Sequence, residues 1–424
     1  MRSVFRTKLT ANALLLVVAL AMVSGILSSS VVFLGYYHRL AVSQAQLSKR
    51  LELNVRSGVE WLLAANDSLE VTRETWDLFG DGTDSVSVSK AQWGIFETGS
   101  VVAFSGANRR EKTFLMGWGP AQQPMPALYL SDQGLPLSIG GATAIHGLCK
   151  LPAAGFKTVD VESERFSGEE IAGRNIARSL PEMPLLNQTL IDYLIALFDI
   201  NPNHKSDEMD LVSAYGQDTL RRSFTEKPAM LYVRGVMELG HVYQGHMLIK
   251  SDSLVRITKN ARLEDVIVVA PAIEVQAGFR GSVQLFATDS IRIGAECSFS
   301  YPSAIGLIKK DFGIIQPSIF LGSKCRLEGV LMACQRIEDL QQTLIRTAEG
   351  CVIAGQIYTD GYLELHGKVE GEVTCRKFIL KTPSSVYENY LVGAVIDPSS
   401  LPRQYVGSAL MPSRVAAKQI VKWL

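Results

Sequence analysis

At 424 residues and 47% hydrophobic content, the chain is long enough for two or three structural units, each burying a core. Lys plus Arg and Asp plus Glu number 42 each, so the formal charge is zero. Without a basic stripe there is no electrostatic footprint for nucleic acid, and that class of partner is excluded.

The first predicted element is a membrane helix. Residues 13–37 (ALLLVVALAMVSGILSSSVVFLGYY) carry no charge, and a hydrocarbon layer is crossed by about 20 helical residues. Arg2, Arg6 and Lys8 before the run favour the cytoplasmic side, and Tyr36 and Tyr37 suit the membrane–water interface. The run is longer than a signal-peptide core and has no A-x-A cleavage site, so a retained anchor over residues 1–38 is expected, binding membrane lipid through 13–37.

Residues 39–67 continue as an amphipathic rod. Leu40, Leu47, Leu51, Val55, Val59 and Leu62 recur at helical spacing, Lys49, Arg50, Glu52, Arg56 and Glu60 interleave, and no Gly or Pro falls between Arg39 and Ser57. One helix from about Thr10 to Asn66 follows. The stripe Leu47, Leu51, Val55 and Leu62 is the candidate interaction surface. Leu47 and Leu51 lie about 15–21 Å beyond Tyr37 along a helix, so they are expected to face a partner protein or another copy. The end around Leu62 is expected to pack on the chain's own domain.

A small β-rich region occupies residues 68–130. Its entry, WDLFGDGTDS (76–85), places Asp77, Asp81 and Asp84 near Gly82 without the order of a calcium loop, so a plain turn is expected. SVSVS, IFETGSVVAFSG and KTFLMGWG then read as antiparallel strands.

The second half repeats a phrase. LSIGGATAIHGLC (137–149), VRITKNARLEDVI (255–267) and IFLGSKCRLEGVL (319–331) share an apolar pair two apart, then a further apolar residue six on. Shorter forms are IEVQAGFRGSV (273–283) and LELHGKVEGEV (363–373). Such units bury their inner faces only by stacking. The expected fold class is therefore mainly β, a right-handed parallel β-helix-like solenoid preceded by the long helix. Its expected parts are a first solenoid block (131–179), a helical insertion (180–228) with an apolar helix near 185–198, and the main solenoid (229–381). The tail (382–424) is expected to end in a short amphipathic helix over 414–424.

Catalytic signals are sparse. The six Cys include no C-x-x-C, and Cys149, Cys325 and Cys375 stand at phrase positions that are elsewhere apolar, so buried free thiols are expected. The His residues are scattered and no zinc spacing occurs, so neither metal nor cofactor is assigned. Acids in the coil come singly, and Glu264, Glu328 and His146 are expected to point outward onto a solvated face. His241 and His246 are expected to project in different directions, and there is no G-x-S-x-G or phosphate loop. No catalytic residue is nominated and a non-enzymatic protein is expected. Two alternatives stand beside it. One is a glycan-active β-helix enzyme, whose sign is several charged side chains meeting in one cleft. The other is passive glycan binding at aromatics such as Trp93, Trp118 and Tyr301.

The first 65 residues resemble the start of minor pilins and pseudopilins of type IV pilus and type II secretion systems. The likeness rests on LLLVVALAMVSGILSS, on the helix reaching NVRSGVEWLLAA, and on Ser57, Gly58, Glu60 and Ala64. It stops short of the processing site, because no Gly precedes the apolar run and no Glu lies five residues into it. PLSIGGATAIHGLCKLPAAG, FRGSVQLFATDSIRI and YENYLVGAVID are similar to bactofilin-like coils of bacterial membrane-anchored proteins. The resemblance implies a single-pass inner-membrane protein, its bulk periplasmic, with other envelope or pilus-like proteins as partners, or self-association.

Overall fold

The computed structural model describes residues 12–65, 74–119, 126–161, 165–169, 171, 173–200, 209–213, 218–311, 313, 315–336, 341–402, 404–411 and 417–424. The basic leader with Arg2, Arg6 and Lys8, and Arg414 and Val415 of the tail, lie outside them. The chain is mainly β, with one long helix, α1 (Asn12–Ala64), and one short one, α2 (Gln188–Asp199). It divides into two compact units: Met1–Gly58 with Thr75–Ser87 and Val102–Glu111, and Val59–Glu74 with Val88–Val101 and Lys112–Leu424.

In the first unit, α1 runs without interruption from lipid-like to soluble sequence. Its apolar residues from Leu14 to Tyr37 are exposed on every side, and it is long and apolar enough to cross a membrane. Burial begins above that stretch. Arg50 anchors the turn 77–84, its guanidinium donating to Asp81 Oδ2 and Asp84 Oδ2 at 2.6 Å each and lying 4.3 Å from the centre of the Phe79 ring.

The second unit is a stack of parallel strands closing on an apolar interior. One column of paired residues runs Val255, Ile273, Ile291, Ile319, Ile345, Leu363. A second runs Ile249, Val268, Leu285, Ile305, Leu331, Ile357, Val373. A third runs Phe299, Leu327, Ile353, Val369, Ile396, Ile145. All are buried, because alternate residues of a strand point to one face. The repeated phrases thus occupy equivalent places, and each turn of chain contributes three short faces.

The order of stacking differs from the order of the chain. Beyond the strand Gly367–Lys381, the next turn combines Tyr390–Val392 and Ala394–Ile396 from the tail with Leu128–Leu130 from the first half. Leu137–Gly140, Ala144–Ile145 and Cys149–Leu151 follow. The first repeat block therefore sits on the far end of the main stack.

Two glycine positions show how tightly the turns approach. Gly355 and Gly371 have φ of 146° and 154°, and a Cβ on either would lie 1.9 or 1.8 Å from the carbonyl oxygen of the glycine one turn below. Only glycine fits there.

The second face is buried on both sides. Its outward residues Val269, Phe286, Met332 and Tyr358 join a cluster with Leu190, Leu194 and Ile195 of α2. Helix α2 forms because apolar residues recur at three and four, and Asn187 caps it by accepting from Leu190 N at 3.3 Å. The helix found at 188–199 agrees with the expectation near 185–198.

The tail corrects an expectation. Instead of an amphipathic helix over 414–424, Lys418–Trp423 is a strand antiparallel to Asn108–Trp118 and forms the edge of a five-stranded sheet. Six residues carrying Ile420, Val421 and Trp423 gain more from ladder hydrogen bonds than from one turn and a half of isolated helix.

Candidate functional site

The helix stripe is the first candidate. Leu51, Val55 and Leu62 are 2%, 0% and 0% exposed, and Leu47 is half-buried. Leu62 packs near Gly99 and Phe114 of its own unit, as expected for the membrane-distal end. Leu51 differs from the expectation of a partner-facing residue, since the chain itself covers it. Arg50 is likewise engaged with Asp81 and Asp84. The large apolar side chains of α1 left exposed beyond Tyr37 are Leu40, Val42, Leu53 and Trp61, and Leu40 and Val42 are the two nearest the apolar span.

Asp77, Asp81 and Asp84 bring carboxylate oxygens within 4.8 Å of one another. Their lone pairs are already used. Asp77 accepts from the backbone N–H of Phe79, Gly80 and Gly82 at 3.1, 2.8 and 2.7 Å. The Thr83 hydroxyl and Arg50 hold the Asp81 carboxyl down at about 2. The arrangement is a turn fastened to a helix.

All six cysteines are free and buried. Cys297, Cys325 and Cys351 stand at successive corners. Each thiol donates to a carbonyl of an earlier turn: Gln276 at 3.2 Å, Gly294 at 3.1 Å and Gly322 at 3.1 Å. This explains their placement, because a small, weakly donating side chain satisfies a carbonyl that a methyl group leaves bare. Burial pushes Cys149 up to about 11, and Cys334 and Cys375 well above the ordinary thiol range.

The aromatics considered for glycan contact are otherwise occupied. Trp93 is buried, donates to Asp265 O at 3.1 Å, and meets Phe224 and His246 edge-on. Tyr301 donates to Val406 O at 2.8 Å. Trp118 is half-buried beneath the Lys418 ammonium, 5.5 Å from its ring centre. His241 and His246 are not brought together, one pairing with Asp218 at 3.5 Å and the other stacking on Phe224. Glu264 and His146 are exposed and Glu328 partly so, as the alternation requires.

A groove was not anticipated from the sequence. Val255, Ile273 and Ile291 are 18 residues apart, but the next steps to Ile319 and Ile345 take 28 and 26. The added residues fall at one corner, between Lys309 and Ser318 and between Gln335 and Leu344. The described residues of the first of these segments, from Lys309 to Ser318, together with the end of α2 wall an open groove of about 1120 Å³ over the short corners at Asp252, Pro271 and Asp289. A second hollow of about 360 Å³ shares Ser290, Arg292 and Ser318 with it and extends to Phe320, which is 37% exposed.

The charged groups of the groove fall into two sets. Lys250 is buried and donates to Leu197, Phe198 and Ile200 carbonyls at 3.2, 2.6 and 2.6 Å, closing the C-terminus of α2. Lys309 donates to Gln341 O at 2.6 Å, and Lys310 pairs with Asp199 at 2.6 Å. Asp252 accepts from Gly235 N at 2.6 Å and from the Tyr232 hydroxyl at 3.3 Å. Asp289 accepts the Thr288 hydroxyl at 2.8 Å and is exposed, and Arg292 is exposed with no ion pair among the described residues. The unequal step lengths were the signal in the sequence.

No known protein family, curated protein or solved structure matches this chain.

Proposed function

We propose that this is a single-pass envelope protein whose helix holds a right-handed parallel β-solenoid outside the cytoplasm, as a structural or assembly component of a pilus-like or secretion machine. The observation that carries this reading is α1. One unbroken helix presents apolar side chains on all sides over Leu14–Tyr37 and then becomes buried in the folded part of its own chain at Leu51. Basic residues ahead of the span favour the non-cytoplasmic side for the folded part and support this orientation. The stacked strands add a rigid, extended surface of the sort used for protein contacts.

Exposure redirects the search for a partner from Leu47 and Leu51 to Leu40 and Val42. Photocrosslinking amino acids at Leu40 and Val42 are expected to capture a membrane protein or a second copy, and one at Leu51 to react only within the chain. Crosslinks from Val42 to lipid alone would remove the assembly reading. Detection of the folded part on the cytoplasmic face by protease accessibility would reverse the orientation.

A further inference from the structure

We infer that the groove beside α2 binds an uncharged oligosaccharide, lying along the stack axis with Arg292, Asp289 and Phe320 as its exposed contacts. Neither the membrane helix nor the assembly reading enters this inference.

Shape is the first argument. The floor is formed by equivalent corners of consecutive turns, at Asp252, Pro271 and Asp289, and ends against Asp311. Parallel strands repeat every ~4.8 Å, so the floor is roughly 14 Å long and presents the same backbone positions at a pitch close to that of a pyranose chain. A linear sugar polymer meets a similar environment at each residue.

Charge is the second argument. Lys250, Lys309 and Lys310 are spent on carbonyls or on Asp199. What remain open are two carboxylates, Asp289 and Asp311, and one guanidinium, Arg292, which is separated from Asp289 by two residues on the strand Arg280–Ile293. A polyanion would meet Asp252 and Asp289 on the floor, and a polycation would meet Arg292 and Lys310. An uncharged, polyhydroxylated chain satisfies both, since a carboxylate accepts and a guanidinium donates to sugar hydroxyls.

The third argument is the face beyond Arg292. The outward row on that face runs Arg256, Glu274, Arg292, Phe320, Arg346, Glu364. Arg256 pairs with Glu274 at 3.0 Å, and Arg346 pairs with Glu364. Arg292 and Phe320 are the two members left without a partner in the row. An exposed aromatic ring beside a free guanidinium, at the open end of a hydroxyl-lined groove, is a stacking surface for the apolar face of a sugar ring.

The test uses the full-length protein in detergent micelles. Chitohexaose, cellohexaose and maltohexaose are titrated calorimetrically, with hexagalacturonate as the charged counterpart. Saturable binding of at least one neutral hexasaccharide is expected, with the matching disaccharide weaker. Asp289→Ala, Arg292→Ala and Phe320→Ala should each weaken it tenfold or more without moving the melting temperature. Glu274→Ala, on the same face outside the groove, should bind as the parent does. The inference is overturned if none of the three neutral hexasaccharides binds at millimolar concentration, if hexagalacturonate binds more tightly, or if the groove variants match the parent.

Discussion

Single residues in this protein carry two opposed titrations. Glu372 is half-buried, accepts from Gln356 Nε2 at 3.4 Å, and is pushed up by burial to about 7 from 4.5. The unfolded chain releases that proton near pH 4.5 and the folded one near 7, so the folded state binds more protons between them and stability falls as pH rises through that window. His246 works the other way. Burial between Trp93 and Phe224 lowers it from 6.5 to about 4, so its contribution is present above pH 6.5 and is lost as pH falls toward 4. Glu372→Gln removes the first effect alone. Its melting temperature relative to the parent should rise between pH 4.5 and pH 8, and a difference constant with pH would contradict the assignment. Neither shift was legible in the sequence. Glu372 reads there as one of several single acids, and the sequence does not show that it lies beside Tyr405 of the tail, close enough for their charges to interact.

Among the elements, α2 shows what packing adds to pattern. Its twelve residues are marginal as an isolated helix, and a face of five buried apolar residues holds it to the stack. Lys250 then satisfies three carbonyls that the helix end leaves open. Lys250→Met keeps the aliphatic stem but leaves those acceptors without a donor, which costs about 1–3 kcal/mol. The loss should appear as faster hydrogen exchange in 188–200 than in the strand Ser298–Lys309. Equal exchange in parent and variant would show that the amine is dispensable. The apolar helix near 185–198 and the inward phrases were legible because each follows one period. The doubly buried second face was less so. VIVVA, SVQLFA and SAIGLI run apolar without alternation, as strands covered on both sides do, and the phrase alone does not say that a helix covers them. The tail strand is hidden in the sequence because Lys418, Ile420, Val415 and Leu424 fit a helical wheel, whereas the edge that recruits 418–423 lies some three hundred residues earlier in the chain.

At the scale of the whole molecule, the joined turn is the feature that no local pattern contains. Its parts, Leu128–Leu130 and Tyr390–Ile396, are each readable as short strands, and only the three-dimensional pairing shows them completing one layer. A chain ending at Lys381 lacks the tail half of that layer. Hydrogen exchange should then accelerate across 128–151, far from the cut in sequence, while 262–309 stays protected. Retained protection at 128–151 would mean that the early block holds itself together.

The same joined layer sets an order of events during synthesis. Residues 126–178 leave the ribosome long before 386–396, yet their seat on the stack is completed by those late residues. The early block therefore waits with its strand edges open until residues 386–396 have been delivered. Its maturation is a closing of earlier-made on later-made chain, and a ribosome that stalls before residue 386 would leave a protein whose middle turns are stacked and whose early block is not.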